Sequence, residues 1–193
     1  MADIRSFAHA AVWWSAPVSE SAVARLVIEP PPRRRNPLLI LIGLITLPVL
    51  VLDQVTKHVV SSRMELFENI AIIPHWVDIT YTRNSGAAFS MFTNLPGWFR
   101  GAFLAGLALV AIGVLIVLIA RSDGLTLTTL AFALILAGAS GNLIDRGLRG
   151  QVVDFVRVHY YEWNYPIFNV ADSAITIGVV LIVLSSLRSP KKD

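Results

Sequence analysis

The chain alternates between long apolar runs and short polar stretches, and the runs set the architecture. Four of them, 38–60, 101–120, 125–144 and 167–187, are close to the roughly 20 residues that cross a bilayer as a helix. The third carries no charge, and the fourth carries one acid, Asp172, near its start. A four-residue turn, Arg121-Ser122-Asp123-Gly124, joins the middle pair, which predicts an antiparallel helical hairpin. Between the first two runs the period changes. Val77, Ile79 and Tyr81 alternate with Asp78, Thr80 and Thr82, as a strand does, and Asn84-Ser85-Gly86 is a turn signal. The predicted fold is a polytopic bundle of four transmembrane helices with a small extracytoplasmic β-unit after the first span.

Composition supports a lipid-solvated chain. Of 193 residues, 55% are hydrophobic and only 15% charged, where a soluble domain carries about a quarter charged. The net charge of +3 does not indicate nucleic acid, because the basic residues cluster at span ends. Arg33, Arg34 and Arg35 precede the first run, and Arg188, Lys191 and Lys192 follow the last. Both termini are therefore expected in the cytoplasm. Residues 1–37, with Pro30-Pro31-Pro32, read as a disordered cytoplasmic extension, 38–187 as the membrane domain and 188–193 as a basic cytoplasmic tail. Tyr160, Tyr161, Trp163, Tyr165, Trp76 and Trp98 suit a membrane-interface belt.

Ionisable residues in apolar spans are costly, and by default they mark function. With the termini inside, spans one and three run outward and span four runs inward. Asp53 and Lys57 lie late in the first span, Asn142 and Asp145 end the third, and Asn169 and Asp172 open the fourth. All three groups then reach one depth, at the outer leaflet. A further acid, Asp154, sits in the apolar stretch Val152-Val153-Asp154-Phe155-Val156 of the short loop between Asp145 and Asp172. Two carboxylates brought together in such surroundings share a proton, so one can activate a water while the other polarises a carbonyl. Bland readings stand beside this one. Asp53 and Lys57 are spaced for an intrahelical ion pair, and Arg146 beside Asp145 predicts a permanently ionised, structural carboxylate. For Asp154 and Asp172, catalysis and a buried polar network holding the helices together both remain open.

Other chemistries fail on inspection. The chain has no cysteine, which removes disulfides and thiol catalysis. His9, His58, His75 and His159 are scattered without zinc spacing, and no phosphate-binding glycine loop is present. Gly138-Ala139-Ser140-Gly141 departs from a nucleophile elbow, since Asn142 stands where its last glycine belongs.

Five blocks now stand out in order: Asp53-Gln54-Val55-Thr56-Lys57, Asn84-Ser85-Gly86-Ala87-Ala88-Phe89-Ser90, Gly141-Asn142-Leu143-Ile144-Asp145-Arg146, Val152-Val153-Asp154-Phe155 and Phe168-Asn169-Val170-Ala171-Asp172-Ser173. In these blocks the chain resembles the lipoprotein signal peptidase family, also called signal peptidase II, over about 38–187. The resemblance implies an aspartic endopeptidase with Asp154 and Asp172 as the catalytic dyad. It implies that Asn84, Gly86, Asn142, Arg146, Asn169 and Ala171 shape the site, with Asp53, Lys57 and Asp145 supporting it. It also implies no metal and no organic cofactor. The substrates would be diacylglyceryl-modified prolipoproteins, cut on the amino side of the lipidated cysteine. The expected setting is membrane lipid of the cell's inner membrane, with no nucleic-acid partner and the enzyme a monomer.

Overall fold

A helix starts at Pro37–Leu41 (α1), widens into a π-helical turn at Ile42–Thr46 and continues as Leu47–Arg63 (α2). In this computed structural model residues 37–86 and 96–188 are described, all within the compact unit Asn36–Asp193. The N-terminal extension with its arginines, residues 87–90 of the turn motif, and the terminal Lys191 and Lys192 lie outside the described residues. The π turn follows from Pro48, which has no N–H to donate and whose ring crowds the carbonyl four residues back; a widened turn relieves both.

Three more helices follow: Gly97–Ala120 (α3), Leu127–Arg149 (α4) and Val170–Arg188 (α5). Together with 38–63, these make four helices, among the described residues, long and apolar enough to cross a membrane. Their lipid-facing side chains, among them Leu52, Val55, Leu107, Val110, Val179 and Val183, are exposed, as a lipid solvent requires. The chain reverses between α3 and α4 as the 121–124 turn predicts. There Thr126 caps α4, exchanging side-chain and backbone hydrogen bonds with Thr129. The far end of α4 runs past the expected boundary at Ile144 to Arg149, where Gly150 closes it in a left-handed conformation (φ 73°). This extra turn keeps Asp145 and Arg149 on one helix face.

The β-unit is larger than its sequence signal. Strands Asn69–Ile73 (β1) and Val77–Asn84 (β2) come from the segment after the first span. Val152–Tyr160 (β3) and Trp163–Asn164 (β4) come from the aromatic segment between the third and fourth spans. All pairing is antiparallel, in the order β1-β2-β3-β4. The β2 alternation is interrupted by a bulge. Ile79 pairs with Val156 but Thr82 pairs with Asp154, so Thr80 and Tyr81 together oppose Phe155. Thr80 and Tyr81 are consequently both buried, with Tyr81 packed on Val60, Val153 and Phe155. Beyond the bulge, Asn84 shares the sheet face of Asp154. Trp76, Trp98, Tyr160, Tyr161, Trp163 and Tyr165 are all exposed.

Candidate active site

Lys57 is wholly buried in the bundle, and its ammonium is saturated by three acceptors from two helices. Nζ lies 2.9 Å from Asp53 Oδ2, 2.9 Å from Asp145 Oδ2 and 3.0 Å from Asn142 Oδ1. The i,i+4 pair with Asp53 is as the spacing predicts, but Asp145 joins it from α4. Asp53 Oδ1 also accepts the backbone N–H of Ala171 (2.9 Å), which ties α2 to the start of α5. Asp145 Oδ2 accepts the Val153 N–H (3.2 Å), which ties α4 to β3. Gly141 permits this closeness: a Cβ there would run into Asp53 Oδ2.

Among the described residues Arg146 makes no ion-pair contact with Asp145, and its charge faces Asp172 and Asp154 before Asp145. Its Nη1 reaches only the Asn142 carbonyl of its own helix (3.3 Å), and its side chain lines a cavity between α3, α4 and α5. The cations of Asp145 are Lys57 and Arg149. Adjacent residues on a helix point about 100° apart, whereas residues four apart share a face, so Arg149 wins the contact. Sequence reading missed Arg149 and also Gln54, whose amide donates to Asp53 Oδ2 (3.1 Å) and the Gly141 carbonyl (3.2 Å). The i,i+4 spacing of Asp145 and Arg149 was the available signal for one, and for Gln54 its place between Asp53 and Lys57 in the first block.

Asn169 is the N-cap of α5 and the centre of the site. Its Oδ1 accepts the Asp172 N–H (2.9 Å), while Asp172 Oδ2 accepts the Asn169 N–H (3.3 Å), a reciprocal cap. Its Nδ2 donates to Asp154 Oδ1 (2.7 Å), and also reaches the Val153 carbonyl (3.2 Å) and Asn142 Oδ1 (3.3 Å). The amide of Asn142, oriented by Lys57 on its oxygen, donates Nδ2–H to Asp172 Oδ1 (2.8 Å). Asn84 Nδ2 donates to Asp154 Oδ2 (3.0 Å), and Asn84 Oδ1 accepts the Gly86 N–H (2.8 Å). Gly86 has φ 90°, and a Cβ on it would collide with Leu104 of α3. The β3 backbone is pinned here by Phe168, whose carbonyl accepts the Phe155 and Val156 N–H groups.

Thus Asp154 and Asp172 are held by neutral amides and one backbone N–H, and neither pairs with a cation among the described residues. Burial pushes the Asp154 carboxyl up to about 6. The Asn84 amide opposes that rise, the charge of Asp172 adds to it, and Asn169 and Lys57 oppose it. Asp172 is half-buried and lines a cavity of about 270 Å³ with Tyr165, Phe168, Ser173, Thr176 and Ile177. The cavity lined by Arg146 and Asn142, about 240 Å³, lies on the α3 side with Leu104, Leu107 and Ile175. No cluster of three or more metal-ligating side chains occurs among the described residues.

The sequence model of a peptidase family described as signal peptidase (SPase) II matches residues 45–188. The lipoprotein signal peptidase of Actinobacillus succinogenes is 43% identical over 143 residues, covering 74% of this chain and 86% of that protein. That of Pseudomonas aeruginosa strain PAO1 is 44% identical over 149 residues, covering 76% and 88%. A solved structure described as a bacterial membrane enzyme, determined by the in meso method at 2.3 Å resolution, superposes with a TM-score of 0.68. It is 33% identical and covers 81% of this chain and 92% of that one. Fold, motif order and relatives agree: the chain is a multi-pass membrane protease of the signal peptidase II family.

Proposed function

We propose that Asp154 and Asp172 are the catalytic pair of an aspartic endopeptidase that removes signal peptides from diacylglyceryl-modified prolipoproteins, cutting on the amino side of the lipidated cysteine. The observation that carries this reading is a division of labour among the acids. Asp53 and Asp145 take the buried Lys57, whereas Asp154 and Asp172 converge on Asn169, accept hydrogen bonds from neutral donors, and feel Lys57 and Arg146 only at longer range. Carboxylates without a counter-ion in a poorly solvated place retain a proton between them.

Burial, which raises the Asp154 carboxyl, favours placing that proton on Asp154. Asp172, open to the cavity, takes a proton from water as the hydroxyl oxygen bonds to the scissile carbonyl carbon, while Asp154 donates its proton to the carbonyl oxygen. The tetrahedral diol then collapses: Asp172 passes its proton to the leaving nitrogen, the C–N bond breaks, and Asp154 recovers its proton. Neighbouring amides hold both carboxyls throughout, so the pair needs little reorganisation. The apolar cavities on either side of Asn142 and Asp172 suit a lipidated substrate, whose acyl chains fix the depth of the scissile bond and supply orientation. The site then lies at the outer leaflet of the inner membrane, with both termini in the cytoplasm. The purified protein should cleave a diacylglyceryl-modified precursor peptide and leave the unlipidated peptide intact. Equal cleavage of both would remove the lipid from the recognition, and no cleavage of either would remove the activity.

A further inference from the structure

Four formal charges meet beside the catalytic pair, and they sum to zero only because of a residue outside the five sequence blocks. Asp53 and Asp145 are fully buried and negative, and Lys57 is fully buried and positive. Arg149, whose side chain is 30% exposed, supplies the second positive charge. It pairs with Asp145 Oδ1, while the other oxygen of Asp145 holds Lys57. Its Nη1 also reaches Gln54 Oε1 (3.4 Å), and the Gln54 amide returns to Asp53 Oδ2 (3.1 Å) and approaches Asp145 Oδ1 (3.5 Å). Arg149 and Gln54 thereby close the solvent side of the cluster.

We propose that Arg149 is a positioning residue for the cleavage reaction, acting through the relay Asp145, Lys57, Asn142 and Asp172. With Arg149 on one oxygen, Asp145 shares its charge between two cations, and Lys57 retains a hydrogen bond for Asn142 Oδ1 (3.0 Å). That bond fixes which end of the Asn142 amide faces Asp172, so its Nδ2–H is presented to Asp172 Oδ1 at 2.8 Å. Without the guanidinium the cluster carries one net negative charge. Lys57 is then drawn fully onto Asp53 and Asp145, the Asn142 amide loses its orienting partner, and the field at Asp154 becomes more negative. The charged groups facing this region are Asp53 and Lys57 of α2, Asp145 and Arg146 of α4, Asp154 of β3 and Asp172 of α5. A more negative field favours the protonated form of Asp154.

This inference rests on the assignment of Asp154 and Asp172, and the test separates the two. Wild type, Arg149→Gln, Arg149→Lys and a charge-removal control, Arg63→Gln at the exposed end of α2, are compared as full-length protein on a diacylated precursor peptide across pH. Arg149→Gln should lower kcat several-fold with KM nearly unchanged, and should move the upper limb of the kcat profile to higher pH. Arg149→Lys should recover most of both effects, and Arg63→Gln should move neither. An unmoved limb and wild-type kcat in folded Arg149→Gln overturn the proposal. So does a loss in Arg149→Gln that Arg149→Lys does not recover, or a fall in thermal stability with kinetics intact, since either makes Arg149 a packing residue. If Arg149→Gln does not fold, Arg149→Lys decides the matter: its upper limb must stay at the wild-type pH, and a displaced limb overturns the proposal. Active Asp154→Asn or Asp172→Asn would instead overturn the catalytic assignment itself.

Discussion

The two ends of the helical bundle are held together by different physics. At the end where α1, α3 and the start of α4 meet, the core is Leu41, Leu115, Ile119, Ala133 and Leu136. Thr46 Oγ1 donates a buried hydrogen bond across it to the Ala133 carbonyl (3.1 Å). At the opposite end Asp53, Lys57, Asn142, Asp145, Asp154 and Asn169 are buried beside the apolar cluster of Val60, Tyr81, Val153 and Phe155. In lipid, apolar helices gain little from burying apolar surface, so the first end relies on close packing and is tolerant of change. The second end fixes geometry through groups that cost free energy whenever one partner is missing. Positional precision is concentrated where the carboxyl pair lies, and the apolar end only has to keep the helices adjacent.

The largest expected effect is on the reaction. Asp154→Asn and Asp172→Asn should each lower kcat by at least a factor on the order of 100, with the protein still folded in detergent. The double variant should be scarcely worse, because the pair acts as a unit. Substantial turnover in either single variant would take that residue out of the mechanism and leave the polar end a structural network.

Lys57→Met tests whether the polar end is rigid through its charges. It strands two buried carboxylates, and should cost about 3–5 kcal/mol of stability as well as activity. Thermal unfolding in one detergent, beside Asp154→Asn, is the measurement. A Lys57→Met protein as stable as wild type would show that water reaches the cluster.

The third effect is on pH. The Asp154 carboxyl is raised from an ordinary 3.8 to about 6. Between those values the folded state keeps a proton that the unfolded chain has released. Stability therefore falls as pH rises through that window, and the loss is complete above it. Asp154→Asn should accordingly raise the melting temperature relative to wild type at about pH 7–8 and not at about pH 4. In the active enzyme, kcat/KM should fall as pH rises through about 6. The limb in kcat should lie higher, because bound lipid displaces water and favours the neutral acid. A limb that stays fixed in Asp154→Glu would assign it to another group.

The smallest effect lies at the apolar end. Thr46→Val removes the hydrogen bond to the Ala133 carbonyl and should cost about 0.5–1.5 kcal/mol while leaving kcat and KM unchanged. A drop in kcat there would mean that the two ends are mechanically coupled.

Much of this was legible in the chain. Apolar runs of bilayer length can only be helices, because in hydrocarbon every backbone N–H and C=O must be satisfied within the segment. Given alternating helix directions, Asp53, Asn142 and Asp172 had to meet at one depth. Periodicity within β2 announced a strand. It could not announce the bulge at Thr80 and Tyr81, because one extra residue leaves no mark in so short an alternation. Nor did 152–160 announce itself as a strand, since an apolar run broken by Asp154 reads equally as a loop. The two strands meet only through long-range pairing, which sets Thr82 against Asp154 and brings Asn84, two residues on, to the Asp154 carboxyl on the same face.

What the sequence determined by itself is the span count and the gathering of the polar groups at one end of the bundle, both consequences of where a lipid solvent tolerates charge. What only the tertiary structure decided is which acid meets which partner. Neighbours in sequence suggested Arg146 for Asp145, but the cations in contact with Asp145 are Lys57 and Arg149, and the Arg146 charge faces Asp172 and Asp154 before Asp145. Asp154 and Asp172 are left with neutral hydrogen-bond donors, while Lys57 contacts Asp53 and Asp145, and the Arg146 guanidinium acts on Asp172 and Asp154 only through its field. That allocation depends on distances across α2, α4, β3 and α5, and no spacing along the chain encodes it.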